Sequence, residues 1–226
     1  WDRGVGSSLI EHVMELFAKW NVNHRGLFTF AQSPKHIGLY QKYGFWPRFL
    51  TAIMSKQVYT RDEEIQWSRY SEANESDQRS LLGACYEITD AIYDGFRVDR
   101  ELHAVQAQRL GDTVLVWERD VLVGFGVCHC GPGTEAGNDT CYIKVGAIRP
   151  GPNAGQHFDQ LLGACETFGA SRGLSRLSAG TNLARMDSYL RMKTKGFRTD
   201  FQGVAMQSLN DPGYNRSDVY MIDDWR

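Results

Sequence analysis

One run of elements is written twice in this chain, once near each end, and that repetition most limits how it can fold. At residues 7–20, Leu9, Val13, Phe17 and Trp20 recur at helical spacing, with Ile10, Met14 and Leu16 beside them. From residue 155, Phe158, Leu161, Leu162, Cys165 and Phe168 show the same period. A turn rich in glycine or proline precedes each helix: Arg3-Gly4-Val5-Gly6 in the first copy, Arg149-Pro150-Gly151-Pro152-Asn153-Ala154 in the second. After each helix come a short strand (26–31 or 174–179) and a second helix (34–43 or 183–194). A glycine–phenylalanine pair then leads into β-rich residues, at Gly44-Phe45 with 45–58 and at Gly196-Phe197 with 197–208. A supersecondary unit repeated in this order points to internal duplication. Helices alternating with strands predict an α/β (α+β) chain, a mixed and mostly antiparallel sheet flanked by helices.

The second copy has more in front of it than the first. The pattern predicts a strand at 63–71, helices at 77–93 and 98–108, and strands at 113–119, 121–130 and 139–148. The first copy starts at its glycine turn. The expected organisation is therefore a half domain, 1–58, a complete domain, 59–208, and a polar and aromatic tail, 209–226, turning at Pro212-Gly213. Ser7 or Ser8 is expected to cap the first helix, and Ser33-Pro34 reads as an N-cap with proline at the first helical position.

Composition removes several function classes. The 226 residues carry a net charge of -2 with no basic stripe, so nothing recommends nucleic acid as a partner. No apolar run approaches the roughly 18 residues of a membrane span. The start at Trp1, without Met or a charged-then-apolar leader, shows no signal peptide and reads as a fragment or processed chain. Five scattered cysteines fit buried thiols in a reducing, cytoplasmic setting. Cys128-His129-Cys130 with Cys141 invites a metal reading, but no second Cys/His pair gives ligand spacing, and no metal is expected. On a strand, Cys128 and Cys130 share one face and His129 takes the other.

The chemistry concentrates in two stretches of the first copy. Gly4-Val5-Gly6-Ser7-Ser8 opens a helix, and a glycine turn there gathers free N–H groups and the positive end of the helix dipole into an anion cradle. Downstream lies Leu39-Tyr40-Gln41-Lys42-Tyr43-Gly44-Phe45. Together, in this order, the two resemble the motifs of the GNAT acetyltransferase superfamily, in its tandem-domain form. That resemblance implies the GNAT fold and acetyl-CoA as cosubstrate. It implies a pyrophosphate site at Arg3, Gly4, Val5, Gly6, Ser7 and Ser8, with Ser33 in a slot that is commonly Asn. It makes Tyr40 the acid that protonates the departing thiolate, while Tyr43 reads as packing. Trp1 departs from the family pattern at the Gln/Arg slot.

The second copy matches less well. Arg149, Asn153, Ala154 and Gly155 fall in its loop, but Pro152 replaces a glycine, and Pro150 and Pro152 bring no N–H. Asn182 and Tyr189 keep the family interval, whereas counting back from Gly196-Phe197 puts Met192 and Arg185 in those slots, so the register stays open. Lys144 is the ionisable residue near the middle of the strand that often carries a base; Glu118 and His129 lie on adjacent strands. The implied activity is N-acetyl transfer to a small-molecule or N-terminal amine. A non-catalytic acyl-CoA-binding or dimerisation module is the alternative, and a homodimer is one assembly open to it.

Overall fold

A computed structural model describes residues 4–59 and 64–224. In chain order the elements are α1 (Val5–Lys19), β1 (Gly26–Thr29), α2 (Pro34–Gln41), β2 (Phe45–Gln57), β3 (Trp67–Arg69), α3 (Glu75–Ile92), α4 (Asp99–Ala107), β4 (Gly111–Glu118), β5 (Val121–Gly131), β6 (Gly137–Ile148), α5 (Ala154–Ser171), β7 (Arg176–Asn182), α6 (Met186–Thr194), β8 (Arg198–Ser208) and β9 (Met221–Ile222). The strand expected at 63–71 shortens to β3 and closes in a 3-10 turn at Tyr70–Glu72. Residue 63, the first of that range, lies outside the described residues.

Among the described residues nine strands join one sheet, in the order β1-β8-β2-β7-β6-β5-β4-β3, with β9 beside β6. Among the described residues only β6 and β7 run parallel. Strands from the two ends of the chain alternate at one end of this order: β8 lies between β1 and β2, and β2 lies between β8 and β7. Long antiparallel ladders on both edges of β2 tie the repeats together, Thr51–Gln57 against β7 and Phe45–Ser55 against β8. Where β8 passes β1, Gly203 leaves room for the Phe28 ring; a Cβ at that position would overlap it.

The sheet has a core on each face. Phe158, Leu161, Cys165 and Phe168 of α5 pack on one face with Val114, Cys128, Ile143, Met192 and Phe197. Cys85, Ile88 and Ile92 of α3 and Leu102 and Val105 of α4 pack on the other, with Phe125, Val127 and Tyr214. Strand alternation sorts neighbours between these layers: Cys128 and Cys130 join the α5 layer, while His129 stands against Tyr142. The five thiols are free, and burial pushes Cys85 up to about 12, which leaves it protonated and unreactive at neutral pH.

Within 209–226, Met221 and Ile222 form a sheet strand. One expectation needs correction. Neither Ser7 nor Ser8 caps α1; Gly4 does, in a left-handed conformation (φ 74°) with no side-chain cap. The apolar stripe of α1 is not core: Leu9 is 65% and Trp20 57% exposed, with Val5, Val13 and Leu16 also outward. The contrast with α5 is physical. α5 lies across β4, β5 and β6, whereas α1 reaches a small cluster at Phe45, Val204 and Met206 through Met14.

His24, in the loop after α1, packs its ring against Tyr93 at 5.5 Å and Tyr214 at 6.0 Å, joining the first repeat to the tail. Burial pushes its pKa below the usual histidine range, against opposing pulls from Asp211 and Asp223. The unfolded chain therefore takes up a proton more readily than the folded one between the ordinary value, about 6.5, and the lowered value. Stability is expected to be level above that range and to fall as pH drops through it. In His24→Phe this part of the acid-side slope should disappear, as measured by urea unfolding from pH 7.5 to 5.

Candidate functional site

Between α1 and α2 lies a groove of about 780 Å³, lined by Gly4–Ser7 on one side and by Pro34, Lys35, His36, Gly38, Leu39 and Lys42 on the other. The first intrahelical bond of α1 runs from the Ser8 N–H to the Gly4 carbonyl at 3.0 Å. The N–H groups of Val5, Gly6 and Ser7 precede it, so the positive end of α1 opens into the groove. Gly4 holds a backbone conformation that L side chains rarely adopt, and a Cβ on Gly6 would come within 3.4 Å of Leu39. Gly4 thus lets α1 begin sharply, and Leu39 of α2 lies at van der Waals distance from the Gly6 Cβ position.

α2 supplies the opposite wall. Ser33 is its N-cap and Pro34 its first residue, as expected, but the Ser33 hydroxyl is hydrogen-bonded to His36 Nδ1 at 2.7 Å and does not cap the helix. Lys35, Leu39 and Lys42 fall at i, i+4 and i+7, one face of the helix, and so bring two cations to the groove. Tyr43 donates to the Ser7 carbonyl at 3.0 Å and to Glu11 at 3.1 Å, which pins α2 to the first turns of α1. Tyr40 does not line the groove. Its ring meets Phe45 edge-on at 6.4 Å on the sheet side of α2, and its hydroxyl has no hydrogen bond among the described residues. Arg3 lies outside the described residues.

The corresponding place in the second repeat is closed. Ala154 and Gly155 are buried, and the Arg191 guanidinium covers Gly155 so tightly that a Cβ there would collide with it. Arg191 is held by Asp159 at 2.7 Å. Asn153 is the N-cap of α5 without a side-chain bond, and Arg149 turns back, its side chain donating to the Leu122 carbonyl at 3.2 Å. Asn182 donates to the Thr51 hydroxyl at 3.1 Å. Tyr189 packs half-buried on the α5 core with Lys193 over its ring, Met192 is wholly core, and Arg185 is a buried ion-pair partner.

The carboxylate and imidazole candidates are engaged elsewhere. Glu118 approaches His157 at 3.5 Å, while His129 and Lys144 both bind Glu135, at 2.9 and 2.6 Å. Among the described residues no group of three or more His, Cys, Asp and Glu is placed to hold a metal ion, and no helix is long and apolar enough to cross a membrane.

Solved structures share this architecture. A protein from Pyrococcus horikoshii assigned as an acetyltransferase superposes over 99% of this chain and 66% of its own, with a TM-score of 0.65 at 14% identity. A GCN5-related N-acetyltransferase from Sphaerobacter thermophilus matches over 92% of this chain and 68% of its own, at 0.59 and 15%. The fold is the GNAT fold. A GCN5-related glucosamine N-acetyltransferase region of a fungal multi-domain β-N-acetylglucosaminidase matches 91% of this chain and 28% of its own, at 0.63 and 13%. The chain thus spans about two thirds of the length of the first of these GNAT-fold proteins. No protein-family model matches the sequence, and no curated protein matches it significantly.

Proposed function

We propose that the chain is an acetyl-CoA-dependent N-acetyltransferase acting on a small-molecule or N-terminal amine, with the cosubstrate seated between α1 and α2. The observation that carries this reading is the open N-terminus of α1, faced by Lys35, His36 and Lys42. Its groove suits a pyrophosphate in charge and in donor type: backbone N–H groups on one wall, cations on the other. In the reaction the amine nitrogen attacks the thioester carbonyl, the C–S bond breaks, and the nitrogen gives up a proton. Tyr40, one residue past the groove-lining Leu39 on α2, is assigned as the donor to the leaving thiolate.

We read residues 1–58 as the back half of a first GNAT unit, 59–208 as a second unit and 209–226 as its tail. The exchanged strand order and the exposed apolar face of α1, whose counterpart on α5 packs on β4–β6, support that division. A cytoplasmic enzyme with no metal requirement fits this reading. For the second unit alone, the buried Ala154 and Gly155 favour the alternative of a module without turnover.

The test is acetyl-CoA binding. Gly6→Glu places a carboxylate in the cradle and is expected to weaken binding at least about 100-fold, since charge repulsion replaces charge-assisted hydrogen bonds. Pro152→Glu should bind as the parent does. Equal affinity in Gly6→Glu would remove the groove from the reading.

A further inference from the structure

β6 and β7 pair only over Thr140–Ile143 and Arg176–Ala179, and beyond those residues the two parallel strands part. Backbone groups on the two parted edges must find partners, because buried unpaired N–H and C=O groups are costly. On the β6 edge the C-terminal segment of the chain supplies them. β9 runs antiparallel to β6, with Gly146 opposite Ile222 and Ala147 opposite Met221, and the Ile148 N–H donates to the Tyr220 carbonyl at 3.1 Å. On the β7 side the Thr181 hydroxyl donates to the Met221 carbonyl at 3.5 Å.

Side chains then lock the segment from both faces. Ile222 enters the α5 core and Met221 the α3–α4 core, neither with any exposure. Ser188 donates to the Val219 carbonyl at 2.8 Å and accepts the Met221 N–H at 3.3 Å. Arg185, also without exposure, donates to the Asp223 carboxylate at 3.1 Å and to its carbonyl at 2.9 Å. Tyr214 donates to the same carboxylate at 2.8 Å, and Tyr142 donates to Asp224 at 2.9 Å. Gly180 completes the fit, since a Cβ there would run into Asp224.

We propose that the opening between β6 and β7 is a built strand-binding slot whose permanent occupant is the chain's own segment 219–224, and that this segment closes the second unit to an acyl-CoA arm. The slot is selective for its ligand. It takes two apolar residues that point to opposite layers, followed by two carboxylates that meet Arg185 and Tyr142. The strand rests on observed pairing alone, whereas the exclusion of acyl-CoA rests on the acetyltransferase reading above. The Ile148 N–H, at the parted edge of β6, already has a carbonyl partner from the tail and is not open to polarise a thioester carbonyl.

Amide hydrogen exchange on the full chain, with and without saturating acetyl-CoA, tests this. The Ile148, Met221 and Ile222 amides should exchange only with global unfolding, at rates that acetyl-CoA does not raise. In Asp223→Asn, which keeps the side-chain shape, residues 146–148 and 219–224 should lose protection together, by about tenfold or more, as a bond to a charged acceptor is weakened. Faster exchange at 219–224 on adding acetyl-CoA, or loss of protection in the tail without loss at 146–148, would overturn the slot. A slow tail in a chain that binds no acetyl-CoA would uphold the slot while refuting the cosubstrate site.

Discussion

Arg185→Ala is expected to destabilise the fold by about 3–5 kcal/mol, the usual cost of removing one partner from a buried ion pair. The guanidinium is fully buried and bridges the start of α6 to Asp223, which would be left buried without its cation partner. Tyr214 donates to that carboxylate and Ser188 to the Val219 carbonyl, so the tail carries further bonds that depend on its staying in place. Removing both charges as Arg185→Met with Asp223→Leu should cost less than Arg185→Ala alone, because an apolar pair needs no desolvated charge. Urea unfolding followed by tryptophan fluorescence checks both variants. A loss under about 1 kcal/mol for the single variant would mean that the pair is no more than a surface-type contact.

Tyr40→Phe is expected to lower turnover by about 100-fold or more while leaving acetyl-CoA affinity within about twofold, the range for loss of a general acid. The ring is fixed by Phe45 on the sheet side of α2, and phenylalanine fills the same space, so packing is preserved. Tyr43→Phe is the informative control. It removes the bonds to Ser7 and Glu11 that hold α2 on α1, and should weaken acetyl-CoA binding more than turnover. Steady-state kinetics of the acetyltransferase reaction with binding measured separately distinguishes the two tyrosines. Unchanged turnover in Tyr40→Phe would end its assignment as the acid.

Much of the fold was legible because local period records it. The spacing of Phe158, Leu161, Leu162, Cys165 and Phe168 marks a helix with one buried face, and α5 buries that face. Ser33-Pro34 marks the start of α2 to the residue. The alternation through Cys128-His129-Cys130 sorts those side chains correctly between two layers. What period cannot record is pairing between distant segments. Nothing in residues 45–58 says that β2 runs between two strands of the other repeat. The two residues of β9 are too short to show any alternation.

α1 shows the complementary limit. Its stripe from Leu9 to Trp20 has the spacing of a core helix, yet the spacing cannot say whether anything lies across it. The site divides in the same way. Gly4 and Gly6 stood out because glycine at a helix entry has a backbone reason, and the groove lies there. Lys35 and Lys42 did not, since cations on a short helix are ordinary until the facing helix is known.

The most direct measurement is acetyl-CoA titration into the full chain, followed residue by residue through backbone amide chemical shifts. One equivalent should bind, with shifts at Gly4–Ser8 and along Ser33–Lys42 and none at Arg149–His157. Two equivalents, or shifts centred on Arg149–His157 with the first repeat silent, would contradict the account and move the cosubstrate to the second unit.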